Sequence, residues 1–133
     1  MTFDTVVAEL KDMYRAELEG SELTESSGLS DQDVQRWSAQ LGVSRSTFYD
    51  EIALYLARAF HKHALPYVFC DNIVNDLHIV IIHANEDRPD LFWSVFLAFD
   101  SGEFYRPGKR HEEPVETYTR PLIAKIVETN STR

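Results

Sequence analysis

Apolar residues recur at helical spacing through most of the chain. Phe3, Val6, Val7, Leu10, Met13, Tyr14 and Leu18 fall on one face of a 3.6-residue period, with Glu9, Lys11, Asp12, Arg15, Glu17 and Glu19 on the other. Asp4 is placed to cap this element and Gly20 to end it, which predicts a helix over 4–19. Ser30 followed by Asp31 and Asp33 marks a capped start, with acids where the helix dipole favours them. Val34, Trp37 and Leu41 then form the stripe of a helix over 31–41, closed by Gly42. Ser44 caps a longer helix over 45–64, whose buried line is Phe48, Ile52, Tyr55, Leu56, Ala59 and His63. Pro66 ends it, because the residue before a proline is driven out of helical geometry.

The middle of the chain reads two ways. Ile73, Val74, Leu77, Ile79, Val80, Ile81 and Ile82 are dense enough in β-branched residues for a buried strand. The length of the run and a cap at Asp71 favour a helix over 71–84, buried on most sides. Asp87-Arg88-Pro89-Asp90 opens a helix over 89–100, in which Leu91, Phe92, Val95, Phe96 and Phe99 form the centre of the core. Residues 101–113, with Gly102, Pro107 and Gly108, read as an irregular loop whose tip is Lys109-Arg110-His111. Pro114 or Pro121 opens a last helix over 115–129. Residues 21–30 are expected to be a mobile acidic loop, and 129–133 a frayed tail. The expected fold is all-α, a single compact domain of about five to six helices.

Composition narrows the function. A chain of 133 residues that is 44% hydrophobic holds one domain with a real core. Its 22 acids against 13 bases leave a net charge of −9. Residues 1–33 alone carry nine acids and two bases, so most of the surplus lies in the first quarter of the chain. A surface of that sign disfavours nonspecific binding to nucleic acid or anionic lipid and suits a basic partner. Cys70 is the only cysteine, which excludes an internal disulfide and fits a reducing compartment. The first residues lack a signal-peptide pattern, and Leu77–Ala84 and Leu91–Phe99 are too short to span a bilayer. The expected location is cytoplasmic, with no membrane partner.

Three groups of residues are candidates for chemistry. The stretch from Trp37 through Ser38, Gly42, Ser44, Arg45, Ser46, Thr47 and Phe48 to Tyr49 resembles the helix-turn-helix of tetracycline-repressor-type regulators. The resemblance implies that Ser38 is the small packing residue, Gly42 the turn and Ser44 the cap. Arg45, Ser46, Thr47 and Tyr49 would then reach phosphates and base edges from residues 34–53. Segment 30–63 holds four bases and four acids, so its net charge is zero. The second group is Asp71, Asn75 and His78, which fall on one helix face at spacings of four and three. Imidazole and carboxylate together suit metal binding or acid–base work, but no metal-ligand motif such as Glu-x-x-His or Cys-x-x-Cys accompanies them. Cys70 beside them reads as a small core residue.

The third group is a set of partner contacts. Glu17, Glu19, Glu22 and Glu25 form the acidic N-terminal surface, and Trp93, Phe104 and Tyr105 are aromatic rings beside charged loop residues, as interface anchors often are. The leading expectation is a non-enzymatic protein-interaction or regulatory module that binds a protein partner, a basic one or another copy of itself, without a cofactor. The alternatives are a DNA-binding regulator and a small metal- or histidine-dependent enzyme.

Overall fold

The computed structural model describes residues 2–20 and 28–132, and Glu22 and Glu25 lie outside that range, as does most of the acidic loop expected at 21–30. The described residues form an all-α fold without strands. In chain order the elements are α1 (Phe3–Met13), α2 (Arg15–Leu18), α3 (Asp31–Leu41), α4 (Arg45–His61), α5 (Tyr67–His83), α6 (Asp90–Asp100), a π-helical turn (Val115–Thr119) and α7 (Arg120–Thr129). None of these helices is long and apolar enough to cross a membrane.

Local chemistry accounts for the α3–α4 hairpin. Ser30 Oγ accepts from the Asp33 amide at 3.4 Å while Asp33 Oδ2 accepts from the Ser30 amide at 2.9 Å, a reciprocal capping box. Gly42 ends α3 with φ 71°, a left-handed value that side chains with a Cβ rarely adopt. Ser44 Oγ then accepts from the Thr47 amide at 3.0 Å and starts α4.

Helix α4 is the hub, with α3, α5, α6 and α7 all packed on it. Phe48, Ile52, Leu56 and Phe60 of α4 are buried against Phe69, Ile73 and Leu77 of α5, Phe92, Val95 and Phe99 of α6, and Ile123 of α7. Phe60 and Phe99 meet edge to face at 5.4 Å. Burying each such side chain contributes roughly 1.5–3 kcal/mol. At the start of α6, Asp50 of α4 reaches across to accept from the Phe92 amide at 2.9 Å, so the cap comes from a neighbouring helix.

Five expectations are corrected. The first helix does not run unbroken over 4–19; it bends at Tyr14, whose φ/ψ of −113°/38° is not helical. The Tyr14 hydroxyl donates to Asp76 Oδ2 at 2.6 Å and accepts from the Leu29 amide at 2.9 Å, so distant partners fix this ring. Helix α4 ends at His61 rather than 64, and His63 is exposed in a turn at φ 61° instead of lying on the buried line. Helix α5 begins at Tyr67 with Pro66 as its N-cap, so Asp71 lies inside the helix and is not the cap. Its outer side is also less buried than expected, since Ile79 and Ile82 are exposed. Finally, the last helix starts with a π-helical turn in which the Arg120 amide donates to Val115 O. Pro121 follows at once and has no N–H to continue the α-helical ladder, which accounts for the shift in register there.

Candidate functional site

Helix α5 carries a row of polar side chains at its N-terminal half. Starting the helix at Tyr67 places Asp71 and Asn75 one turn apart, and the end of α6 turns back over them through Ser101, Gly102 and Glu103. Gly102 makes that return possible: a Cβ there would lie 2.5 Å from Thr119 Oγ1 and 3.1 Å from the Tyr67 ring. Tyr67, Val68, Asp71, Asn72, Asn75, Gly102 and Glu103 together line a concavity of about 410 Å³.

The concavity is anionic. Asp71 is only 8% exposed, and its Oδ1 is buried without a hydrogen-bond partner among the described residues. The Asn75 amide donates to Asp71 O at 2.8 Å and to Glu103 Oε2 at 3.0 Å, which holds Glu103 against α5. Burial, the adjoining Glu103 carboxyl and the charge of Asp100 push the Asp71 carboxyl up to about 8, against a smaller opposing pull from Asn75. Tyr67 donates to Phe99 O at 2.6 Å, and its hydroxyl is held protonated by burial and by the same carboxylates. On the far side of Asn72, whose amide donates to Glu17 Oε2 at 3.2 Å, a second buried carboxylate oxygen, Glu17 Oε1, also lacks a partner among the described residues.

Of the three residues read as one face, Asp71 and Asn75 do come together, and His78 does not join them. It sits two turns along the helix, about 10 Å away by helical rise. There its ring packs against Phe96 and Trp93 at 4.5 and 5.2 Å, and Trp93 stacks on Phe96 at 4.9 Å under the Arg88 guanidinium. Burial, helped by the charge of Arg88, pushes the imidazole down toward its neutral form. Among the described residues no three His, Cys, Asp or Glu side chains are placed to hold a metal ion. Cys70 is fully buried, and burial pushes its thiol up, away from the reactive thiolate.

The helix-turn-helix residues are divided between the surface and contacts within the chain. Ser46 and Thr47 are exposed, but Tyr49 is 1% exposed and its hydroxyl donates to Glu86 Oε1 at 2.7 Å. Arg45 donates to Glu86 at 3.0 and 3.1 Å, to Asp31 at 2.5 Å and to Tyr49 Oη at 3.1 Å. Two carboxylates therefore enclose the guanidinium and hold it protonated. Arg36 is likewise shared between Glu9 and Asp33, and Arg58 donates to Asn130 O.

The expected partner surface is also redistributed. Glu17 is a correction: it is 1% exposed, drawn inward by Asn72, whereas Glu19 remains exposed. Phe104 and Tyr105, directly after Glu103, are 53% and 49% exposed, with the Arg106 guanidinium 4.3 Å from the Phe104 ring. Sequence reasoning missed Glu103 and Tyr67 as partners of Asp71. The available signal was Pro66, which read as the start of α5 puts Tyr67 and Asp71 one turn apart on one face. No protein-family model matches the chain, and no curated protein or solved structure matches it either.

Proposed function

We propose that this domain is a non-enzymatic binding module for a basic protein partner. The observation that carries the reading is that five arginines among the described residues are engaged within the chain. Arg36, Arg45 and Arg120 each pair with the chain's own carboxylates, and Arg58 and Arg106 donate to its backbone carbonyls. With a net charge of −9, the surface left for a partner is dominated by carboxylates, a field that speeds encounter with a cationic protein and repels a phosphate polymer. Phe104 and Tyr105 beside Glu103 supply the apolar anchor that a charged surface alone lacks.

The test is binding of arginine- and lysine-rich peptides to the whole chain by calorimetry. Affinity is expected to fall about tenfold or more between low and moderate salt, as surface charges become screened. Replacing both Phe104 and Tyr105 with Ala should weaken it further while leaving the helical spectrum intact. Failure to bind any basic peptide, or affinity indifferent to salt, would overturn the reading.

A further inference from the structure

The concavity floored by Asp71 is built for a ligand more definite than general positive charge. We propose that it is a receptor for one arginine side chain of the basic partner, with the guanidinium docking onto the paired carboxyls of Asp71 and Glu103. The proposal rests on the function given above and assigns the place where the partner is gripped.

The donor and acceptor inventory points to this ligand. The described residues lining the concavity include no lysine, arginine or histidine. The Tyr67 hydroxyl is committed to Phe99 O, and Asn75 uses its amide on Asp71 O and Glu103 Oε2. What remains is acceptor-rich: the Asp71 carboxyl, whose Oδ1 is buried without a partner among the described residues, and the Glu103 carboxylate at the exposed rim. Two facing carboxylates need a cation with several N–H donors arranged in a plane, which is the guanidinium fork. A metal ion fits less well, since the described residues provide no third ligand for one. The tyrosine ring along the wall suits the flat face of the same group.

The free protein has another way to relieve the pair, which is to hold a proton on Asp71. Asp71 faces Glu103 on the loop and Asp100 at the end of α6, with Tyr67 and Cys70 on its own helix and Glu113 near Tyr67. Every one of these is acidic or neutral. An arriving guanidinium therefore displaces the proton, and binding should release it to solvent and tighten as pH rises.

The experiment is a titration of the isotope-labelled whole chain with N-acetyl-arginine amide, followed by NMR at the Asn75 side-chain amide and the Gly102 backbone amide. The controls are the neutral isostere N-acetyl-citrulline amide, N-acetyl-lysine amide, spermidine and magnesium. The arginine amide is expected to give saturable shifts that citrulline does not, with the lysine amide and spermidine weaker. Affinity should be at least threefold tighter at pH 8.5 than at pH 6.5, with proton release seen by calorimetry in buffers of different ionisation enthalpy. Asp71→Asn and, as a rim variant that leaves the buried floor untouched, Glu103→Gln should each weaken binding at least tenfold. Equal binding of citrulline, a stronger response to magnesium or spermidine, or unchanged affinity in both variants would overturn the proposal. If basic peptides bind the parent chain and both variants alike, the arginine seat fails and the binding function stands. If the arginine amide binds at these residues but no basic peptide does, the seat stands and the function fails.

Discussion

Two part-buried polar clusters flank the core, and they follow opposite rules. At the α3–α4 hairpin, Arg45 sits between Asp31 and Glu86, and the Tyr49 hydroxyl completes the set by donating to Glu86. Charges of opposite sign meet there, and each of these four groups has a partner. At the start of α5, Asp71 faces Glu103 with Asp100 nearby, and a buried oxygen is left without a donor among the described residues. Acids meet acids there, with a proton held on Asp71, beside an open concavity. The first arrangement stabilises the fold with charges of both signs; the second has only a proton on Asp71 to relieve it until a cation arrives. Buried polar groups are normally satisfied, so the unsatisfied cluster is the one that asks for a functional explanation.

The largest effect should come from breaking the closed cluster. Arg45→Met would leave Asp31 and Glu86 without their shared cation, and a loss of about 1–3 kcal/mol is expected from urea unfolding. A helix-turn-helix role for Arg45 gives the opposite expectation: stability nearly unchanged and DNA affinity lost. The open cluster should respond with the other sign. Asp71 has its carboxyl raised from 3.8 to about 8 in the folded protein, so between those values the folded state holds a proton that the unfolded chain has released. Its contribution is full below about pH 4 and is lost as pH rises toward 8, at up to about 1.4 kcal/mol per pH unit for one proton. Asp71→Asn removes that slope and should make the variant the more stable protein at pH 8.5. Melting temperatures of both chains across pH 5–9 decide it, and parallel curves would contradict the assignment.

The two clusters also differ in how much of them can be read along the chain. Ser30 with Asp33, and Gly42 with Ser44, act within three residues of themselves, so the hairpin is legible from sequence down to its caps. The use of Arg45 depends on Glu86, 41 residues away, and no local pattern reports it. The open cluster is half legible for the same reason. Asp71 and Asn75 share a face by helical period alone, but their partner Glu103 arrives through the turn at Gly102. Glu17 looked like one more surface acid because its burial depends on Asn72, 55 residues on. Tyr14 breaks the first helix through contacts with Leu29 and Asp76 that a periodic stripe does not encode.

The smallest effect is also the most discriminating. Glu103 is exposed, and its carboxylate is a neighbour of Asp71 rather than part of the core, so Glu103→Gln should change stability at pH 6 by no more than about 0.5 kcal/mol. The titration of Asp71 should nonetheless move. Burial is the main reason its carboxyl is raised, and Glu103 adds to it by sharing the proton and by its charge. Replacing that carboxylate with an amide removes both contributions and leaves burial and Asp100 in place. The Asp71 carboxyl carbon, followed by NMR, should therefore titrate at a lower pH than in the parent chain and still above the ordinary 3.8. A titration unmoved by Glu103→Gln would mean that burial alone sets it. The two carboxyls would then not act as a pair, and the contrast with the closed Arg45 cluster would reduce to a difference in depth.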